Sequence, residues 1–398
     1  MLSQKSAPIV AATLPVVGAH IDQISGVFYD TMLGENPDLL NLFSRSAQAT
    51  GEQKSALAGA VALFATHLSG EAPLPEHVVT RIAQRHCALG IRPEQYAMVG
   101  KYLLGAVGTV LGDAVTPEIA AAWDEVYWLF AVRLIGLESR IYAEAGVDGE
   151  NPWRTYVVAN KVAEADDTVS LILTPSDGEP VPHYRPGQYV TIAATRPDGT
   201  RQLRQYSLSQ APNGGTLRIT VRRVRGVNGT PDGVVSGWIH DTVRPGDALT
   251  VSQAYGDLTL PAQGDHPLLL ISAGVGITPM AAILDEVSRT QPGRPVTVVH
   301  ADRSPSRHPL RAEVAAAGAR LREFDHLAWY DTPVAGAFTG RIDPDRIPLR
   351  PGAEVYLCGP VPFMQAVRAA LHRRGLSEDR IRYEVFGSEQ WRTVPVPA

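Results

Sequence analysis

The sequence predicts a multidomain chain in three parts: an all-α domain over residues 1–146, an antiparallel β-barrel over 147–262, and an α/β domain with a parallel sheet over 263–398. Three observations predict it. Up to Gly146 apolar residues recur at helical spacing between proline and glycine punctuation. From Tyr156 to Val221 short β-branched and aromatic runs alternate with Pro-Gly and Asp-Gly turns. From Pro267 onward an apolar strand is repeatedly followed by a helix.

In the first part, Asn36-Pro37, Leu74-Pro75, Arg92-Pro93 and Thr116-Pro117 each read as a helix start with proline in the first turn. Stripes such as Leu57, Ala60, Val61, Phe64 and Leu68, or Trp123, Tyr127, Phe130, Leu134 and Ile141, face a core. The helices are unequal, which argues against a simple four-helix bundle and allows helices crossing around a pocket. The stretch Gly146 to Pro152, GVDGENP, is a polar linker. Tyr156 to Val158, Thr168 to Leu173, Tyr189 to Ala193 and Leu217 to Val221 are strands of the barrel. In the last part Leu268 to Ser272, Val296 to His300 and Val355 to Cys358 are strands, each followed by a helix.

Composition bounds the function. The chain has 398 residues, 44% hydrophobic and 19% charged, with a formal net charge of -5, the profile of a soluble globular protein without a cationic surface for nucleic acid. No apolar run reaches the length of a membrane-spanning helix. The start MLSQKSAPIV lacks the charged and apolar regions of a signal peptide, so the expected compartment is the cytoplasm. The two cysteines, Cys87 and Cys358, form no CxxC, which excludes a disulfide framework, a four-cysteine zinc site and a cysteine-ligated iron–sulfur cluster.

Polar groups where periodicity demands apolar ones are the first candidates for chemistry. His86 shares a helical face with Val79, Ile82 and Leu89. It is either a core histidine bonded to a backbone carbonyl or a ligand to something held between helices. Tyr29 lies beside Val27 and Phe28, and Gln53 one turn before Leu57. Buried, each needs a hydrogen-bond partner. Bound haem accounts for all of them, with His86 on the iron, Tyr29 and Gln53 on the opposite side, and Phe43 and Leu57 against the porphyrin. The absence of a CxxCH motif makes such haem noncovalent.

Here a resemblance becomes specific. FYDTML with Tyr29, NPDLLNLF with Phe43, GEQKSAL with Gln53 and Leu57, and IAQRHCALGIRPEQY with His86 and Tyr96 resemble the globin domain of flavohaemoglobins. The resemblance implies that Tyr96 and Glu138, in GLESRIY, bond to the proximal His86, a partnership that pushes electron density toward iron. Charge patterning alone reads Glu138 as a solvated face residue. Arg85 stands where the family commonly has a lysine near the flavin.

The other motifs resemble the ferredoxin-reductase-like part of the same family. Arg204, Gln205, Tyr206 and Ser207 match its RxYS flavin signature, preceded by RPGQY ending at Tyr189. The arginine suits a pyrophosphate, the tyrosine the flavin ring and the serine its edge. Gly233, Val235 and Ser236 match a second phosphate-contacting stretch at a helix start. Gly274, Val275, Gly276, Ile277, Thr278 and Pro279 form a G-x-G-x-x-P turn between strand and helix, the family's form of a pyrophosphate loop. Cys358, Gly359 and Pro360 match a nicotinamide-side motif, although Cys358 is equally readable as a buried structural thiol. Glu384, Val385, Phe386, Gly387 and Ser388 match the segment whose aromatic ring covers the flavin until nicotinamide displaces it.

The resemblance implies a cytoplasmic, monomeric nitric oxide dioxygenase carrying haem b and FAD. It takes electrons from NADH or NADPH and converts NO and O2 to nitrate. Arg303 and Arg307 either hold the 2′-phosphate of NADPH or are simply solvated. Two rival readings are a haem and flavin reductase serving another acceptor, and a gas-binding sensor. The distal pair argues against the first; the full reductase motif set without an output domain argues against the second.

Overall fold

The computed structural model describes all residues except 42–51, 71, 75, 148–150, 196–198, 200, 227–230, 262–263 and 387–398, and leaves the side chains at 41 and 52–58 undescribed. The chain forms two compact units, one built chiefly from Met1–Glu150, the other from Asn151–Ala194 and Arg204–Phe386.

The first unit is all helix: α1 (Ser6–Ala19), α2 (Ile21–Glu35), α3 (Glu52–Leu68), α4 (Glu76–Leu89), α5 (Pro93–Leu111) and α6 (Pro117–Glu144). Local chemistry sets the boundaries. Helix α5 starts with Pro93, where the missing N–H costs nothing, and Gln95 accepts from the Arg92 N–H at 2.9 Å. Thr116 caps α6 by accepting from the Ile119 N–H. Helix α4 is followed by Gly90 at φ 75°, a left-handed turn that glycine adopts without steric cost. The expected start at Asn36-Pro37 opens a 3-10 turn over Pro37–Asn41, beyond which the described residues end until α3. The helices bury Phe28, Met32, Phe64, Trp123 and Phe130 in one core. Gly100 lets α5 and α6 approach closely, since a side-chain carbon there would lie 2.5 Å from the Tyr127 ring. Among the described residues no single helix is long and apolar enough to cross a membrane.

The second unit begins with β1 (Trp153–Ala165), β2 (Thr168–Pro175), β3 (Tyr189–Thr195), β4 (Arg201–Ser207), β5 (Leu217–Arg222), α7 (Val234–Asp241) and β6 (Ala248–Ser252). The strands form a six-stranded sheet in the order β4-β3-β6-β1-β2-β5. Just past β4, Leu208 bridges Ile219 of β5, so the two edge strands meet and the sheet closes into the expected barrel. Its interior holds Tyr156, Leu171, Val190, Ile219 and Val251.

The unit continues with β7 (Leu268–Ala273), α8 (Ile277–Thr290), β8 (Val296–Asp302), α9 (Arg311–Gly318), β9 (Phe324–Tyr330), β10 (Phe338–Thr339), β11 (Glu354–Cys358), α10 (Val361–Arg373) and β12 (Ile381–Glu384). All pairings are parallel, in the order β10-β9-β8-β7-β11-β12. Strand order therefore reverses between β7 and β11, and ligands of open α/β sheets bind in the crevice at the carboxyl ends beside such a reversal. Barrel and parallel sheet are joined by polar contacts. Arg218 pairs with Glu164 at 2.5 Å and with Glu313 at 2.8 Å, and Ser306 donates to Asp166 at 2.7 Å.

Candidate functional site

In the helical unit, α4, α5 and α6 bring three of the expected residues together. The His86 Nδ1–H donates to Glu138 Oε1 at 2.7 Å and lies 3.0 Å from the Tyr96 hydroxyl, which itself donates to the same carboxylate oxygen at 2.5 Å. Glu138 is 2% exposed, so it is no solvated face residue; its long helix turns it inward. Burial, and then the Glu138 carboxylate, push the Tyr96 hydroxyl pKa far up, so the phenol stays a proton donor. Tyr127 fixes the segment by donating to the Tyr96 carbonyl at 2.5 Å. With Nδ1 bound as donor, the lone pair of His86 sits on Nε2, and no hydrogen bond to Nε2 is found among the described residues. The imidazole is 32% exposed although it sits on an otherwise apolar face. An imidazole anchored at one nitrogen and open at the other is the donor a haem iron takes, so the residues fit that group.

Tyr29, on α2, is 6% exposed, and burial raises its pKa, which keeps its hydroxyl protonated. Gln53 and Leu57 lie on α3, but their side chains, like all of Phe43, fall outside the described residues. Arg85 is half-buried on α4 beside His86. Arg81, 6% exposed on the same helix, went unmarked in the sequence because a charge between Thr80 and Ile82 breaks no apolar stripe.

In the second unit, β4 carries the barrel motif. Arg204 is half-buried and burial lowers its pKa, Tyr206 is half-buried with its pKa raised by burial, and Gln205 is exposed. Ser207 is 5% exposed and its Oγ has no hydrogen-bond partner among the described residues, an orphan that a flavin edge would satisfy. Tyr189 is buried and pairs through its backbone with Tyr255, its ring within 3.0 Å of where a Gly256 side chain would begin. Gly233 precedes α7 and Val235 is buried. The Ser236 Oγ donates to the Gly233 carbonyl and accepts the Val224 N–H, both at 3.1 Å. That hydroxyl is therefore engaged by the loop, and the segment offers an anion its first-turn backbone N–H groups.

The crevice between β7 and β11 gathers the remaining motifs. Gly274 has φ 57°, in the left-handed region that favours glycine, and Thr278 Oγ1 donates to the Val275 carbonyl at 2.9 Å. Ile277, Thr278 and Pro279 form the buried first turn of α8. A side-chain carbon on Gly276 would lie 2.3 Å from the Cys358 carbonyl oxygen, so the two loops touch through a bare glycine. This cradle fits a dinucleotide pyrophosphate at the start of α8. Gly276→Ala is expected to lower the stability of this unit by about 1–3 kcal/mol through overpacking, read as an earlier unfolding transition in thermal denaturation; an unchanged transition would contradict the contact.

Cys358 is fully buried, and burial followed by Glu384 pushes its thiol pKa well up, so it is a neutral thiol. Gly359 is half-buried and Pro360 exposed. Glu384 pairs in register with Cys358 and is 3% exposed, Val385 is buried, and Phe386 is 45% exposed. Gly387 and Ser388 lie outside the described residues. Arg303 is exposed, whereas Arg307 is paired with Asp167 at 3.4 Å.

Three family models match, described as globin over residues 26–133, oxidoreductase FAD-binding domain over 155–259, and oxidoreductase NAD-binding domain over 270–369. The flavohemoprotein of Bordetella pertussis is 41% identical over 98% of this chain and 99% of its own length. That of Deinococcus radiodurans is 39% identical over 98% of each. A flavohemoglobin crystal structure from Malassezia yamatoensis, with bound FAD and haem, shares 36% identity over 97% of this chain and 100% of its own, with a TM-score of 0.88. The FAD/NAD-binding domain of a nitric oxide dioxygenase from Vibrio cholerae is 38% identical over 59% of this chain and 98% of its own, with a TM-score of 0.56. With every domain matched in order and the curated relatives aligned end to end, the chain belongs to the flavohemoprotein family of oxidoreductases.

Proposed function

We propose that the protein is a cytoplasmic nitric oxide dioxygenase, with haem, flavin and nicotinamide parts divided near residues 146 and 262, that converts NO and O2 to nitrate with electrons from NAD(P)H. The observation that carries this reading is the His86–Glu138 hydrogen bond of 2.7 Å, reinforced by Tyr96. Bound here, FAD would supply a hydride acceptor able to release single electrons, and haem a one-electron acceptor with a site for a diatomic gas. Each dioxygen, nitric oxide and electron together make one nitrate, so one hydride supports two turnovers.

The chain's own residues do the rest. Glu138 accepts the hydrogen bond from His86 Nδ1–H, gives the ring partial imidazolate character and strengthens Nε2 as a donor, a setting suited to activating oxygen rather than storing it. Tyr29, held protonated by burial, would donate a hydrogen bond to a gas held by bound haem, with Gln53 assisting, and Phe43 and Leu57 would be the residues that hold the porphyrin. Arg204, with the α7 N-terminus at Gly233, Val235 and Ser236, holds the flavin phosphates. Tyr206, Ser207 and Tyr189 fix the flavin ring. Gly274 to Pro279 receive the nicotinamide dinucleotide's phosphates. Cys358, Gly359, Pro360, Glu384 and Phe386, with neighbouring Val385, Gly387 and Ser388, shape the hydride-transfer end.

The relatedness of the Vibrio cholerae domain supports this choice of activity. Tyr29→Phe tests it. NO consumption under air is expected to fall about a hundredfold, as for loss of one donor aimed at developing charge, while NADH reduces FAD at the original rate. Unchanged NO consumption would sink the assignment.

A further inference from the structure

Arg222, the last residue of β5, is held by acidic groups from both parts of the second unit. Its Nη2 donates to Asp302 Oδ2 at 2.7 Å and to the Arg307 carbonyl at 2.6 Å; its Nε lies 3.2 Å from Asp167 Oδ1 and 3.4 Å from Thr168 Oγ1. Asp302 is no free ribose acceptor: its side chain is 3% exposed and its other oxygen accepts the Arg303 N–H at 2.9 Å. Arg307 shares Asp167, so two cations balance two anions and the cluster presents no net negative charge to an incoming nucleotide.

The remaining nitrogen, Nη1, has no acceptor among the described residues and faces the glycine turn. A side-chain carbon on Gly274 would lie 2.8 Å from it. The bare glycine thus leaves a guanidinium edge, immobilised at its other nitrogens, open over the loop before α8. A planar, fixed guanidinium with a free N–H edge beside helix-terminal N–H groups is matched to phosphate oxygens.

We propose that Arg222 of the barrel is a ligand to the nicotinamide dinucleotide's pyrophosphate, so that the phosphate site is complete only when barrel and parallel sheet are docked. This rests on the assignment of Gly274 to Pro279 as the pyrophosphate loop. It adds to that loop a residue from the flavin side, so the ion pairs to Asp302 and Asp167 set the position of the nucleotide as well as the joint between the parts.

The test is calorimetric titration of the full-length holoprotein with ADP-ribose, which carries the pyrophosphate and has no nicotinamide to react. Arg222→Ala is expected to weaken binding tenfold or more, the scale of a lost hydrogen bond to a charged group. Because alanine leaves buried Asp302 without its cation, Arg222→Lys is the second variant: lysine keeps that ion pair but lacks the nitrogen facing Gly274. It is expected to retain FAD and wild-type thermal stability yet bind ADP-ribose weakly. Arg218→Ala, which breaks the other ion-paired joint to Glu164 and Glu313, should bind within about twofold of wild type. Wild-type affinity in Arg222→Lys, or equal weakening by Arg218→Ala, would overturn the proposal. Wild-type protein that oxidises NADH but does not bind ADP-ribose would overturn the loop assignment itself.

Discussion

Replacing His86 with alanine is expected to give protein without a Soret band but with its flavin absorbance intact. The imidazole is the one expected axial donor of the helical unit, its Nδ1 held by Glu138 and Tyr96 and its Nε2 without a protein partner among the described residues. The barrel motif lies in the other compact unit, so FAD content should not follow haem content. Purified His86→Ala protein with a full Soret band would contradict the assignment.

The second large effect is expected at Glu138. Glu138→Gln keeps the size and one acceptor oxygen but removes the charge that the His86 Nδ1–H and the Tyr96 hydroxyl both address. Partners that orient and polarise a metal-bound histidine typically contribute ten- to a hundredfold in metal affinity or activity, and NO consumption should fall by that factor. Haem content should remain, since His86 remains. A lower iron–histidine stretching frequency in the ferrous protein would separate a weakened electronic push from simple misfolding. Wild-type turnover would show that the hydrogen bond only fixes the ring.

How far the sequence reveals all this depends on whether the deciding interaction is local. Pro93, Thr116 and Pro117 mark helix starts because caps and missing N–H groups act within one turn. The β7–α8 glycine turn is legible for the same reason. Strand β1 runs to Ala165, well past the apolar run at Tyr156 to Val158, because its outer half is exposed and its pairing with β2 shifts register after Val158. Asn36-Pro37 is legible in the same way as Pro93, and a 3-10 turn starts at Pro37. Glu138 reads as a surface charge until α4 and α5 are packed against α6. Arg222 is the extreme case: a strand-end arginine looks like an edge charge, and its partners Asp302 and Gly274 arrive from a different part of the chain.

In the proposed function, reduced nicotinamide drives nitric oxide oxidation through flavin and haem on one chain. This is tested most directly by absorption spectra of the purified protein after anaerobic NADH or NADPH addition, then after air and nitric oxide are admitted. The expected result is a ferric Soret band and flavin bands that both reduce, followed by consumption of the nucleotide with nitrate as the product. Flavin that reduces while the Soret band stays ferric, or nucleotide consumption without nitrate, would contradict it.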